Sequence, residues 1–397
     1  MPVLSTGMRP AVFLVLLGVA RGFVAPAAPA TARLRRSVVD EALEEATLID
    51  LSPVPDVVCA RGICVVEEPE EEAAVVLWPK ALLLGSSVLY GTNFALGRLM
   101  NDALPASAST SARFVLAAAA LSPWLLRLEP KLAKPALVCG AFTTLGYVTQ
   151  SAALVTEPAS TVAFLGALTV VVCPALGYVV DGRRDLGPRD APQVWLAGAL
   201  CLLGVGLLEL PGAFAASGGA ATGLLSVGDG LAMLQAVGFG TSFFLTEKMM
   251  AEEPTQALPI TACQVSVVAA ASALWAAWDG LAGAGWLLDG RSASFALPGL
   301  FLDPALRTVA LAAAWTGLAT TAANRVAETT ALGRVSSAEA SVLLATEPLW
   351  AALFAALLIA EPLSPLDAAG GALIVAACVA ASADPDAVRA LVRRAES

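Results

Sequence analysis

From residue 77 to residue 383 the chain is a succession of ten apolar stretches. They run 77–99, 110–127, 135–155, 159–180, 192–210, 228–247, 259–278, 305–324, 338–360 and 366–383. Each is close to the roughly 20 residues that carry an α-helix across a bilayer's hydrocarbon core. That pattern constrains the fold more than anything else in the sequence. In hydrocarbon every backbone N–H and C=O must be satisfied inside the protein, so such stretches become packed helices. Composition agrees: 57% of the chain is hydrophobic and 14% charged, against about 25% charge in soluble domains. The expected fold is an all-α polytopic membrane protein with ten transmembrane helices.

Charge divides the chain into three parts. Residues 1–39 hold Arg9, Arg21, Arg33, Arg35 and Arg36 and no acid. Residues 40–76 hold eleven acids and the single base Arg61. The remainder is mildly acidic. In the first part Arg9 precedes a short apolar run, Ala11–Ala20, with small residues at Val19-Ala20-Arg21-Gly22. That run is too short to span a bilayer and has the form of a signal-peptide core. Phe23-Val24-Ala25-Pro26 and the basic Arg33-Leu34-Arg35-Arg36 follow it. The arrangement resembles the bipartite presequence of algae with complex plastids, which implies a plastid membrane; an ordinary secretory or mitochondrial leader is the alternative. Residues 40–76 read as an acidic, disordered linker with room for a short helix at 38–49.

Loop charges orient the spans. With the N-terminal side as the inner one, that side collects thirteen bases, Arg325 and Arg334 among them, and the other side keeps Arg98, Arg113, Arg291 and Arg307. The bias fits an even span count with both termini on one face. The sequence also repeats: Ala159-Ser160-Thr161 is echoed by Ala340-Ser341-Val342, about 180 residues on. That offset is five spans, an odd number, so the second copy enters from the opposite side. Two inverted five-helix repeats, 77–210 and 228–383, are a design found in alternating-access transporters. Residues 384–397 form a C-terminal tail.

Several chemistries are excluded. The chain has no histidine, which removes histidine metal sites and a Ser-His-Asp triad. Its seven cysteines form no CxxC pair, so neither a zinc site nor a disulfide framework is expected. A pI near 4.7 argues against nucleic acid. No glycine-rich loop leads into Lys-Ser or Lys-Thr, so ATP does not drive this chain by itself. No cofactor and no enzymatic activity are expected.

Polar side chains inside apolar spans are costly and face a cavity or a partner. Asn93 can donate to and accept from a substrate, or join two helices. Arg98 and Arg113, near the far ends of spans one and two, can draw an anionic group inward or snorkel to headgroups. Gln150, Gln235 and Gln264 are candidate pore-lining amides. Glu347 lies near mid-membrane with Pro348 after it, where proline frees a carbonyl beside a carboxylate. Either a coupling role or a structural pairing fits Glu347. Glu157 and Glu339 read as helix caps, and Arg325 and Arg334 as peripheral.

These residues resemble those of the EamA-type drug/metabolite transporters. The resemblance lies in Gly91-Thr92-Asn93-Phe94 with Arg98 downstream, Arg113-Phe114, Leu145-Gly146-Tyr147, Ala159-Ser160-Thr161 and Pro174. It is closest in Ala340-Ser341 through Glu347-Pro348-Leu349. The family's closing Gly-Glu is here Ala360-Glu361, and the first copy has Leu168-Thr169 where Glu-Pro would stand. The resemblance implies a secondary transporter of a small organic metabolite, with membrane lipid around it. A proton or a counter-substrate is the coupling partner it allows, and a homodimer stays open. A membrane scaffold that reuses the fold is the alternative.

Overall fold

The computed structural model describes residues 57–60, 63–66, 70–157, 159–183, 186–187, 190–216, 226–282, 306–359 and 365–381. It divides into two compact units, Met1–Val76 and Leu77–Ser397. The presequence, the expected helix at 38–49 and the C-terminal tail lie outside the described residues.

In the first unit, β1 (Val57–Ala60) pairs antiparallel with β2 (Ile63–Val66), setting Val57 against Val66 and Ala60 against Ile63. Within the stretch 40–76, expected as a disordered linker with room for a short helix, residues 57–60 and 63–66 are paired strands. Two β-branched apolar runs flank Arg61-Gly62, a two-residue connection with the glycine a tight hairpin favours.

The described helices follow the expected spans. They are α1 (Glu70–Ala103), α2 (Ala106–Leu125), α3 (Pro130–Thr156), α4 (Ala159–Gly166), α5 (Thr169–Val179), α6 (Pro192–Ala216), α7 (Val227–Glu252) and α8 (Ala257–Ala282). Then come α9 (Arg307–Ala314), a π-helical stretch Trp315–Ala323, α10 (Asn324–Leu332), α11 (Ser337–Leu344), α12 (Glu347–Ile359) and α13 (Pro365–Ala381). Local chemistry sets several starts. Ser226 and Asp229 form a reciprocal capping box at α7, with bonds of 2.9 and 3.0 Å. Ser336 caps α11, and Pro130 opens α3 where no N–H is needed. Among the described residues, three stretches are long and apolar enough to cross a membrane by length and composition: Pro130–Thr156, Val162–Val179 and Pro254–Gly280.

The fourth and ninth spans are each broken into two helices, and the two breaks share most of their bonds. In the first copy Ala167 donates to the Ala163 carbonyl (3.0 Å), Leu168 to Leu165 (3.2 Å) and Val171 to Leu168 (2.9 Å). In the second, Ala345 donates to Ser341 (3.0 Å), Thr346 to Leu343 (3.3 Å) and Leu349 to Thr346 (3.0 Å). The register therefore sets Ala167 on Ala345 and Thr169 on Glu347. The copies diverge at two bonds. Ala167 also donates to the Phe164 carbonyl at 3.2 Å, which Ala345 does not repeat. Val170 donates to the Ala167 carbonyl at 3.0 Å, but its counterpart is Pro348, which has no N–H. The break precedes Pro348, so Glu347 starts a helix and does not sit within one, as the sequence suggested.

Packing pairs elements of opposite copies: α3 on α7, α2 on α8 and α6 on α13. Where α3 meets α7, glycines let the backbones touch. A Cβ on Gly238 would lie 2.5 Å from the Gly146 nitrogen and 2.9 Å from the Phe142 carbonyl. Gly238→Ala should therefore cost about 1–3 kcal/mol, offset by somewhat less than the ~1 kcal/mol of helix propensity alanine adds. A lowered melting temperature checks this, and an unchanged or raised one contradicts it. Gly91 plays the same part between α1 and α12, where a Cβ would lie 2.9 Å from that of Trp350.

Ion pairs gather loops at one end of the bundle. Lys80 pairs with Glu339 at 2.7 Å, Arg183 with Glu247 at 2.9 Å, Lys248 with Asp181, and Lys131 with Glu253. The second oxygen of Glu247 accepts the Ser337 N–H at 2.8 Å. The start of the first span thus shares an end with the loops after spans two, four, six and eight. Glu339 does more than the helix cap read from sequence, because it ties α11 to α1.

A polar spine along the eighth span

The run from α9 through the π-helical stretch into α10 carries the densest polar chemistry in the bundle. A π-helical turn holds an extra residue and rotates the side chains after it. Here it brings successive threonines onto neighbours from the first, second and seventh spans.

The half-open layer comes first. Thr320 Oγ1 donates to Asn93 Oδ1 at 2.6 Å, and Arg113 Nε donates to Thr321 Oγ1 at 2.6 Å. Trp315 Nε1 donates to Thr92 Oγ1 at 3.1 Å. The Arg113 guanidinium lies 5.3 Å from the Phe114 ring centre and 5.4 Å from that of Tyr147. Its Nη2 is buried and donates no hydrogen bond to the protein. Tyr147 packs at a tilt against Phe114 (4.6 Å) and edge-on to Phe239 (4.8 Å). These contacts hold Arg113 against Thr321, Phe114 and Tyr147. A cation over two aromatic faces regains about 0.5–2 kcal/mol, less than the several kcal/mol an uncompensated charge costs in hydrocarbon.

Nearer the ion-paired end lies a sealed layer. Arg325 pairs with Glu328 one turn on, and both are buried, at 2% and 1% exposure. Tyr90 donates to the free Glu328 oxygen at 2.8 Å, and Arg325 Nη2 donates to Gln264 Oε1 at 3.1 Å. Gln264 passes the chain on to Thr246 Oγ1 (3.1 Å) and Cys139 Sγ (3.3 Å). Asn324 donates to the Ser86 carbonyl at 3.1 Å, and Thr261 to Thr329 at 2.9 Å. Every charge in this layer is matched, so it closes the bundle beneath the Asn93–Arg113 layer.

The structure sorts the sequence candidates. It brings Asn93 and Arg113 together on adjacent threonines of one element. Gln264 belongs to the sealed network, not to a pore wall. Gln235 donates to the Val162 carbonyl at 3.1 Å beside the fourth-span break, and its buried Oε1 takes no partner. Gln150 is half-buried on the face of α3 that holds Tyr147. Arg98 sits on α1, with its side chain outside the described residues. Glu347 heads α12 half-buried, Pro348 is buried behind it, and Thr346 Oγ1 ties the break to Ser87 Oγ at 2.8 Å. Arg325 is not peripheral. The eighth span extends to Leu332, and the i,i+3 pair hides both charges. Arg325 therefore leaves the loop-charge count.

Glu328, Tyr90, Thr320 and Thr321 were missed. An Arg and a Glu three residues apart at the end of an apolar stretch was the one available signal.

Comparison with known proteins agrees with this architecture. The family model for the EamA-like transporter family matches residues 77–210 and again 226–383. No curated protein matches the chain. Twenty-eight solved chains do. One, a "crystal structure of protein", gives a TM-score of 0.57 at 18% identity, covering 80% of this chain and 99% of that one. At that identity the likeness shows the fold.

Proposed function

This chain belongs to the EamA-like transporter family, whose members are membrane transporters, and from that premise we propose that it moves a small organic metabolite by alternating access between its two inverted repeats. All ten spans cross the membrane in this reading. The observation that carries it is the matched pair of broken spans, with half-helix ends at Ala167–Leu168 and Ala345–Thr346. Discontinuous helices at equivalent points of inverted repeats are where secondary transporters place substrate and coupling ions. The Asn93–Arg113 layer holds the solute, and the Arg325–Glu328 layer with the ion-paired end forms the closed side. A gradient of solute, counter-substrate or protons drives the cycle.

Purified protein in proteoliposomes tests the reading against a panel of labelled metabolites. Saturable, counterflow-stimulated uptake of at least one solute is expected. No flux across the panel from well-folded protein would favour a scaffold. The presequence adds a proposed location, a plastid membrane. A fluorescent fusion of residues 1–60 should enter plastids and should fail to do so with Phe23→Ala; delivery to mitochondria would contradict it.

A further inference from the structure

Two arginine side chains are described well inside the spans, and they are treated in opposite ways. Arg325 is neutralised by Glu328 and donates from Nη1 to Glu328 and from Nη2 to Gln264. Arg113 lies about 10 Å along α2 from Ala106, at roughly 1.5 Å per residue, and no carboxylate pairs with it among the described residues. Its hydrogen bond goes to a neutral hydroxyl, Thr321 Oγ1. Its Nη2 is buried without a partner. Two aromatic rings hold the guanidinium in place. A fixed cation at that depth is expensive unless an anion joins it, and the described residues supply none there.

We propose that the transported solute is an organic anion and that Arg113 is its counter-charge, binding a carboxylate or phosphate group. This rests on the transporter reading given above. With Nε committed to Thr321, the Nη1–Nη2 edge is left for a two-oxygen acceptor, the geometry in which arginine differs from lysine. Asn93 is bonded to Thr320, the residue before Thr321 on the same element. Its Oδ1 is taken by Thr320, which leaves the amide N–H groups to meet a second acceptor on the same solute. The bond to Thr321 makes the π-helical stretch part of the site, because it sets the direction in which the fork points.

Thermal unfolding of the full chain in neutral detergent reads binding without requiring flux. The probes are benzoate, phenyl phosphate and inorganic phosphate, with benzamide and benzylamine as uncharged and cationic counterparts. At least one anion should raise the melting temperature saturably within the millimolar range, while the counterparts do not. Arg113→Gln should abolish the shift. Arg113→Lys and Thr321→Val should weaken the anion's apparent affinity tenfold or more, and Thr321→Val does so without touching a charge should Arg113→Gln fold poorly. Equal stabilisation by benzamide, full anion binding by folded Arg113→Gln, or no anion-dependent shift through the millimolar range would each overturn the proposal. Doping the detergent with phosphatidylglycerol separates the two sources of phosphate. If the anionic lipid stabilises through Arg113 and soluble anions cannot displace it, Arg113 is a lipid anchor and the proposal fails. Uptake confined to neutral or cationic solutes overturns the anion assignment and leaves the transporter reading intact. Anion binding without flux does the reverse.

Discussion

Arg325→Met is expected to destabilise the bundle by about 3–5 kcal/mol, the cost of stranding a buried carboxylate once its partner is gone. Glu328 would keep only the Tyr90 hydroxyl, and Gln264 would lose its donor. The reason to expect so large an effect is burial, since both members of the pair are 3% exposed or less. The double variant Arg325→Met/Glu328→Met should recover much of that loss, because two apolar groups need no compensation where one charge does. Melting temperatures of the single and double variants in detergent decide the matter. A double variant no more stable than Arg325→Met would mean the pair's worth is not electrostatic. A single variant as stable as the wild type would mean Glu328 finds another partner.

The second large effect falls on transport. Glu347→Gln should cut gradient-driven accumulation tenfold or more while costing at most about 1–2 kcal/mol of stability, the scale of a charge at a helix N-terminus. Glu347 opens α12, where the helix dipole favours a negative charge, and it follows a break tied to α1 through Thr346 and Ser87. Glutamine keeps the shape and the hydrogen-bonding capacity and removes the charge. Accumulation lost with counterflow retained marks a coupling role. Loss of both marks substrate binding or the movement of the half-helix. Wild-type accumulation by well-folded protein would contradict the assignment, and a collapse in melting temperature would make the carboxylate structural.

Much of the fold is legible in residue order, for a physical reason. A span must be apolar over a fixed length, so the ten stretches stand out and helices lie at each of them, although their ends differ, as at the eighth, which runs on to Leu332. The repeat is visible only approximately: the breaks at Leu168 and Thr346 lie 178 residues apart, three fewer than Ala159 and Ala340, so the structural register sets Ala159 on Ser337 and not on Ala340. What sequence does not reveal is which polar groups meet. Arg325 resembles a loop charge because its neutralising partner, Glu328, also resembles one. The two end the eighth span early only if each is counted alone. Gln264 resembles a pore-lining amide until the partners that consume it, Arg325, Thr246 and Cys139, come from three other helices. The π-helical stretch has no signature in Trp315–Ala323, yet it decides that Thr320 faces Asn93 and Thr321 faces Arg113. The hairpin at 57–66 was obscured by the acids on either side of it.

Alternating access requires the ion-paired end to open in every cycle, and a tether across it tests that requirement directly. Lys80 and Glu339, 2.7 Å apart at their charged atoms, join α1 of the first copy to α11 of the second. The measurement is counterflow in proteoliposomes by Lys80→Cys/Glu339→Cys, with Cys59 and Cys64 replaced, before and after bridging by a short reducible bis-methanethiosulfonate linker. The double variant should transport before bridging, stop when bridged and recover on reduction, while each single cysteine variant stays active under the same treatment. Undiminished counterflow through the bridged protein would contradict the account, because it would show that solute passes without these two helices separating.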